Sequence, residues 1–134
     1  MQLFFYASGN DQHAKRLEAA VQEVVPKGRT ETFTSLDGFR ERLRNYIEPD
    51  SVAVLLASKR EELQRMELLR GLLTEIYVVM VIPDQKKSTI DLAHRLLPRF
   101  LSQKRSDFSD LKAVLNRMYL NSKKSPIRTI PREA

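Results

Sequence analysis

Chemistry needs reactive side chains at workable spacing, and this chain offers few. Its 134 residues include no cysteine. That removes thiolate nucleophiles, disulfides, iron–sulfur centres and thiolate zinc sites. The two histidines, His13 and His94, fall in different amphipathic segments, with neither HxxE nor HExxH spacing around them. Packing or solvent-facing roles suit them better than ligation or catalysis. Ser8-Gly9-Asn10 has one glycine and no lysine, whereas a phosphate-cradling loop needs several glycines and usually a lysine. With Asp11 it reads as a turn offering helix caps. Ser58 lacks the glycine-flanked elbow of a nucleophilic serine and reads as a helix cap. Glu61 and Glu62 suit the first turn of that helix, where the dipole favours acids. Arg40, Arg42 and Arg44 alternate by two, so Arg40 and Arg44 share a helix face and Arg42 does not. No acid, base and nucleophile converge, so neither an enzyme nor a bound cofactor or metal is expected, and a small-ligand-binding domain is the last-ranked alternative.

Charge is the stronger signal. The chain carries 23 Lys and Arg against 17 Asp and Glu, a net +6. Residues 1–85 hold eleven basic and thirteen acidic side chains, and residues 86–134 hold twelve and four. The whole positive excess therefore lies in the last third. Such a patch suits an acidic partner. Nucleic acid is the lesser alternative, since the chain has no helix-turn-helix pattern, no aromatic platform and no tryptophan. No apolar run reaches the roughly 18 residues that would suggest a membrane span. The opening MQLFFYASGND has no basic lead, so no signal peptide and a cytoplasmic setting are expected.

The elements that must carry these residues alternate regularly. Leu3 to Ala7, Val52 to Ala57 and Ile76 to Ile82 are continuous apolar runs, as strands covered on both faces should be. Thr30 to Thr34 is half polar and suits an edge strand, and Arg99 to Ser102 reads as a weak fifth strand. Between them lie helical patterns: one ending near Val25, one bearing Phe39, Leu43 and Ile47, and one from Ser58 to Leu73. A fourth spans Ser88 to Leu97, and a last one carries Leu111, Val114, Leu115 and Met118. Five β-α units with helical crossovers imply a parallel sheet between two helix layers. The two weak strands belong at its edges. That gives a three-layer flavodoxin-like (βα)5 fold of order 2-1-3-4-5, with a crevice at the carboxyl ends of strands one and three. Residues 1–121 form this domain. Residues 122–134, with two prolines and no periodicity, are expected to form a flexible basic tail.

This architecture resembles the receiver domain of bacterial response regulators over residues 2 to about 121. The resemblance rests on the element lengths, the Pro49-Asp50 entry to strand three and Phe100-Leu101-Ser102 before the last helix. Receiver chemistry uses two acids after strand one to hold Mg²⁺ and an aspartate after strand three as nucleophile. A hydroxyl residue after strand four and a lysine after strand five bind the phosphoryl group. Metal and ammonium are needed because a carboxylate must approach an anionic donor. Here Ala7 and Ser8 stand where the acids belong, with Asp11 three residues late. Ala57 takes the nucleophile position, Ile82 the hydroxyl position and Gln103 the lysine position, with Lys104 one step on. The resemblance is therefore to a degenerate receiver, a pseudo-receiver, whose scaffold is kept and whose phosphorylation chemistry is gone. It implies signalling by docking through the face built from helix four, strand five and helix five. Arg95, Arg99, Lys104, Arg105, Lys112 and Arg117 are the candidate residues of that face. Its partner would be an acidic protein surface or a second copy of the chain, as in a homodimer.

Overall fold

The structure, a computed structural model, describes residues 1–132, with side chains through Ser122. Five strands and five α-helices alternate among the described residues. They are β1 (Leu3–Ala7), α1 (Gln12–Val24), β2 (Thr30–Phe33), α2 (Leu36–Leu43), β3 (Val52–Leu56), α3 (Arg60–Met66), β4 (Tyr77–Ile82), α4 (Lys87–His94), β5 (Phe100–Gln103) and α5 (Ser109–Arg132). All strand pairings are parallel, and the order is β2-β1-β3-β4-β5. This is the three-layer flavodoxin-like arrangement that the alternation of apolar runs and amphipathic segments predicts.

The period of two along the strands sorts side chains between the layers. Leu3, Phe5 and Ala7 of β1 pack with Leu17 and Val21 of α1 and Leu111 and Leu115 of α5. Phe4 and Tyr6 point the other way, to Phe39 of α2, Leu63 and Met66 of α3 and Ala93 of α4. Every residue of β1 and β3 is buried, as central strands require, whereas β5 is half-exposed throughout. The largest aromatic cluster joins Phe39 to Tyr6, stacked at 5.6 Å, and to Phe33 and Phe4 at 5.2 and 6.3 Å.

Local signals place most helix starts. Asp11 Oδ1 accepts the Ala14 N–H at 2.9 Å, and Ser35 Oγ accepts the Gly38 N–H, so both act as N-caps. Ser58 does not cap α3. Lys59 is the N-cap residue, and the Glu62 carboxylate reaches back to accept the Ser58 N–H at 3.0 Å. That acid serves the residue before the N-cap, and no described side chain caps the first-turn N–H groups of α3. The third helix also stops early, at Met66, and continues as a 3₁₀ turn over Glu67–Leu72. Buried Leu63, Met66 and Leu69 are spaced by three, which three residues per turn keeps in line.

At the chain's end α5 continues to Arg132, beyond the stop near 121 that the sequence suggests. A helix can run past a proline at the loss of one backbone hydrogen bond. The basic tail expected over 122–134 falls largely outside the described residues: side chains are described through Ser122 and backbone through Arg132. No described helix is long and apolar enough to cross a membrane.

Candidate functional site

At the carboxyl ends of the strands, where this topology places a crevice, lie the five residues compared with receiver positions. Ala7 is buried at the end of β1, and Ser8 beyond it is exposed. Asp11, the nearest acid, is occupied as the cap of α1. Ala57 is wholly buried, and its N–H donates to the Val81 carbonyl at 2.9 Å. Ile82 is 2 % exposed and belongs to the apolar core on the α2–α4 side. Gln103 closes β5, half-buried. Lys104, next along, donates its backbone N–H to the Ile82 carbonyl at 3.0 Å and its Nζ to the Ser58 carbonyl at 3.3 Å. The ammonium thus crosses the crevice to β3 and finds a backbone oxygen there. Among the described residues no three His, Cys, Asp or Glu side chains gather closely enough to hold a metal ion.

Beside this crevice runs a groove of about 450 Å³ along the outer edge of β5, between α4 and α5. Ile82, Ile90, Phe100 and Leu101 give it an apolar floor, and Gln85, Ser102, Gln103 and Ser106 add polar groups. Arg105 and Asp110 stand at its lip. The two sheet edges differ in how they meet solvent. On β2, Glu31 is held by Arg42 through two bonds of 2.9 and 3.2 Å, while the Arg42 guanidinium lies 5.0 Å from the centre of the Phe4 ring. A fixed charge in mid-strand blunts an edge against pairing. The β5 edge, Phe100-Leu101-Ser102-Gln103, has no charge of its own.

The six basic residues predicted for this face divide. Lys104 and Arg105 sit at the top of β5, by the crevice and the groove. Arg117 lies seven residues after Asp110 on α5, two helical turns on, and so shares its groove-side face. Arg99 does not join them. It lies at the opposite end of β5, about 16 Å away by strand rise, with its guanidinium 4.5 Å from the Tyr77 ring centre. Arg95 is paired with Glu67 at 3.3 Å, and Lys112 with Glu23 of α1 at 3.4 Å, on the flank of α5 turned away from β5. Net charge therefore overstates the face, because half of the set is spent on structural contacts.

The sequence reading missed a second set of cations. Lys59 and Arg60 follow β3, Lys86 and Lys87 follow β4, and Lys104 and Arg105 follow β5. A dibasic pair just after each of three consecutive apolar runs is visible in the sequence. It counts only once the runs are known to be parallel neighbours, because then the pairs share one rim. Two contacts tie this rim together: Lys104 to the Ser58 carbonyl, and Arg60 Nη1 to Ser88 Oγ at 2.6 Å.

Three groups titrate away from their ordinary values. Burial pushes the Tyr6 phenol up, Arg65 offsetting part of this and Glu62 adding to it. The Thr89 hydroxyl and then the Lys86 N–H hold the Asp84 carboxyl low, with the charges of Lys86 and Arg60 adding. The Ser109 N–H and hydroxyl do the same for Asp107 at the start of α5. Depressed carboxylates stabilise the fold fully above the unfolded value of about 3.9 and lose that contribution as pH falls through their folded values. The Asp84→Ala, Asp107→Ala double variant should therefore melt lower than the parent by a constant margin above pH ~5. The two melting curves, followed by circular dichroism, should converge at lower pH.

Strand order and layer arrangement put the chain in the class of five-stranded flavodoxin-like α/β proteins. Compared with protein-family models, curated proteins and solved structures, it finds no match.

Proposed function

We propose that the protein is a non-catalytic, receiver-like interaction domain that docks an acidic segment of another protein into the α4–β5–α5 groove without being phosphorylated. The observation that carries this reading is the groove itself. It is a trough with an apolar floor and polar walls along an uncharged, unpaired strand edge, with Arg105 and Asp110 at its lip and Arg117 on the same side of α5. Neither arginine has an ion-pair partner among the described residues. An extended segment can add to such an edge through its backbone, while side-chain pockets select the sequence.

Charge argues for a foreign acidic segment over a second copy. Antiparallel pairing of two β5 edges about a two-fold axis would set Arg99 of one copy opposite Lys104 of the other. Like charges directly opposite one another are destabilising. A segment with acids flanking a short apolar centre meets cations instead.

The absence of phosphorylation is read from what occupies the receiver positions. Ala57 is buried and bound to β4 through its N–H. Gln103 stands at the receiver's lysine position and carries no charge, and Lys104 follows one residue later. Incubation with Mg²⁺ and acetyl phosphate should leave the intact mass unchanged. Stoichiometric acid-labile phosphate on the protein would overturn the reading.

A further inference from the structure

The cationic rim is not accounted for by the groove. Arg60 stands at the start of α3, and its guanidinium reaches Ser88 in the first turn of α4 at 2.6 Å. Lys104 reaches from the end of β5 to the carbonyl of Ser58, two residues before Arg60. These two contacts bring the three loops after β3, β4 and β5 into one neighbourhood. Lys59, Lys86 and Arg105 are exposed on the same loops.

Three of the acids nearby are already engaged. Asp84 accepts the Lys86 N–H at 2.9 Å, Glu62 accepts the Ser58 N–H, and Asp91 pairs with Lys87 at 3.7 Å. Lys59, Arg60, Lys86, Lys104 and Arg105 have no ion-pair partner among the described residues. Lys104 is the most telling of them. Its ammonium is half-buried and has three protons to donate, yet it meets one neutral carbonyl and no carboxylate. A partly desolvated cation without a counter-charge attracts an anion strongly, because the surrounding dielectric screens it less than water does.

We propose that this rim is a binding site for a small polyanion of the phosphate class, such as a polyphosphate-bearing metabolite. Lys104 and Arg60 would hold the inner phosphate at the crevice mouth, and Lys59, Lys86 and Arg105 the outer ones. A guanidinium can grip two phosphate oxygens at once, while ammonium groups act as point charges around it. A compact multivalent anion suits the rim because its cations come from three loops around one crevice mouth and are not strung along a helix.

The test is isothermal titration with inorganic triphosphate at about 0.15 M salt. Saturable binding at one site per chain is expected. Lys104→Gln and the Lys59→Gln, Arg60→Gln double variant should each weaken it by about tenfold or more, one charge-assisted contact being worth that much. Lys27→Gln, on the turn before β2, should leave it unchanged. Circular dichroism melts of each variant guard against simple unfolding. Binding that is absent, unsaturable or equally lost with Lys27→Gln would overturn the proposal. Citrate is the second arm: equal affinity for citrate would show a general anion site and contradict the phosphate assignment. The rim and the groove are separable, because the Lys59, Arg60 double variant leaves the groove arginines in place. It should still bind an acidic peptide.

Discussion

Replacing Phe39 by alanine should destabilise the fold by about 3–5 kcal/mol, the range for deleting a fully buried phenyl ring. Phe39 is wholly buried and touches the rings of Phe4, Tyr6 and Phe33. The loss combines transfer of the ring from the core, the cavity left behind and three ring contacts. The cavity cannot close easily. Phe4 and Tyr6 are fixed on β1 by pairing to β2 and β3 on either side, so they cannot move in to fill it. A domain of this size has about 5–15 kcal/mol of stability in total, so the variant should lose about a fifth of it or more. The melting temperature should fall by about 10–15 °C. Thermal denaturation followed at the tyrosine and backbone signals checks this. A fall of only a few degrees would mean that α2 packs less firmly on the sheet than its ring contacts imply.

The second large effect concerns docking. Reversing both groove cations, Arg105→Glu with Arg117→Glu, should weaken an acidic peptide by about 10- to 100-fold while leaving the melting temperature nearly unchanged. Both side chains are exposed and make no ion pair among the described residues, so folding has little stake in them. Docking differs because the variant sets like charges against the ligand. Most of the loss should appear at low salt, where screening is weakest. Arg95→Glu with Lys112→Glu, two residues of the same predicted basic set, should do the reverse. It breaks contacts to Glu67 and Glu23 and costs some stability, yet leaves peptide affinity within about twofold. The contrast between the two double variants separates the surface that docks from the charge that merely braces helices. Competition fluorescence with one labelled peptide reads both.

The fold was open to sequence reasoning because its signals are physical and redundant. Val52 to Leu56 and Tyr77 to Ile82 are apolar without alternation, which places them in mid-sheet, and the half-polar Thr30 to Phe33 goes to an edge. Capping at Asp11 and Ser35 follows from their hydroxyl or carboxylate ahead of an apolar stripe. Where the reading failed, the cause was a competition that one-dimensional pattern cannot rank. Ser58 has a cap's side chain but falls one residue before the N-cap Lys59, and its own N–H is taken by Glu62. Leucine and methionine spacing by three is compatible with either an α-helix or a 3₁₀ turn, and the chain changes from one to the other at Met66.

The site was less legible. Ala7, Ala57 and Ile82 could be assigned to the ends of runs covered on both faces, and all three are buried. Counting cations pointed to a basic face drawn from Arg95, Arg99, Lys104, Arg105, Lys112 and Arg117. The structure splits it, since Arg99 belongs to Tyr77 at the far end of β5, and Arg95 and Lys112 to acids on other elements. The rim of Lys59, Arg60, Lys86, Lys104 and Arg105 went unnoticed for the opposite reason. Its members are far apart in sequence and become neighbours only through parallel strand order.

The central claim is that the groove docks an acidic segment with no need of phosphorylation. Its most direct test is selection of peptides on the untreated protein, followed by affinity measurement of an enriched acidic peptide with and without Mg²⁺ and acetyl phosphate. Equal affinity in both conditions, lost in the Arg105→Glu, Arg117→Glu variant, is the predicted result. Binding that emerges only after phosphodonor treatment, or that the variant retains in full, would contradict it.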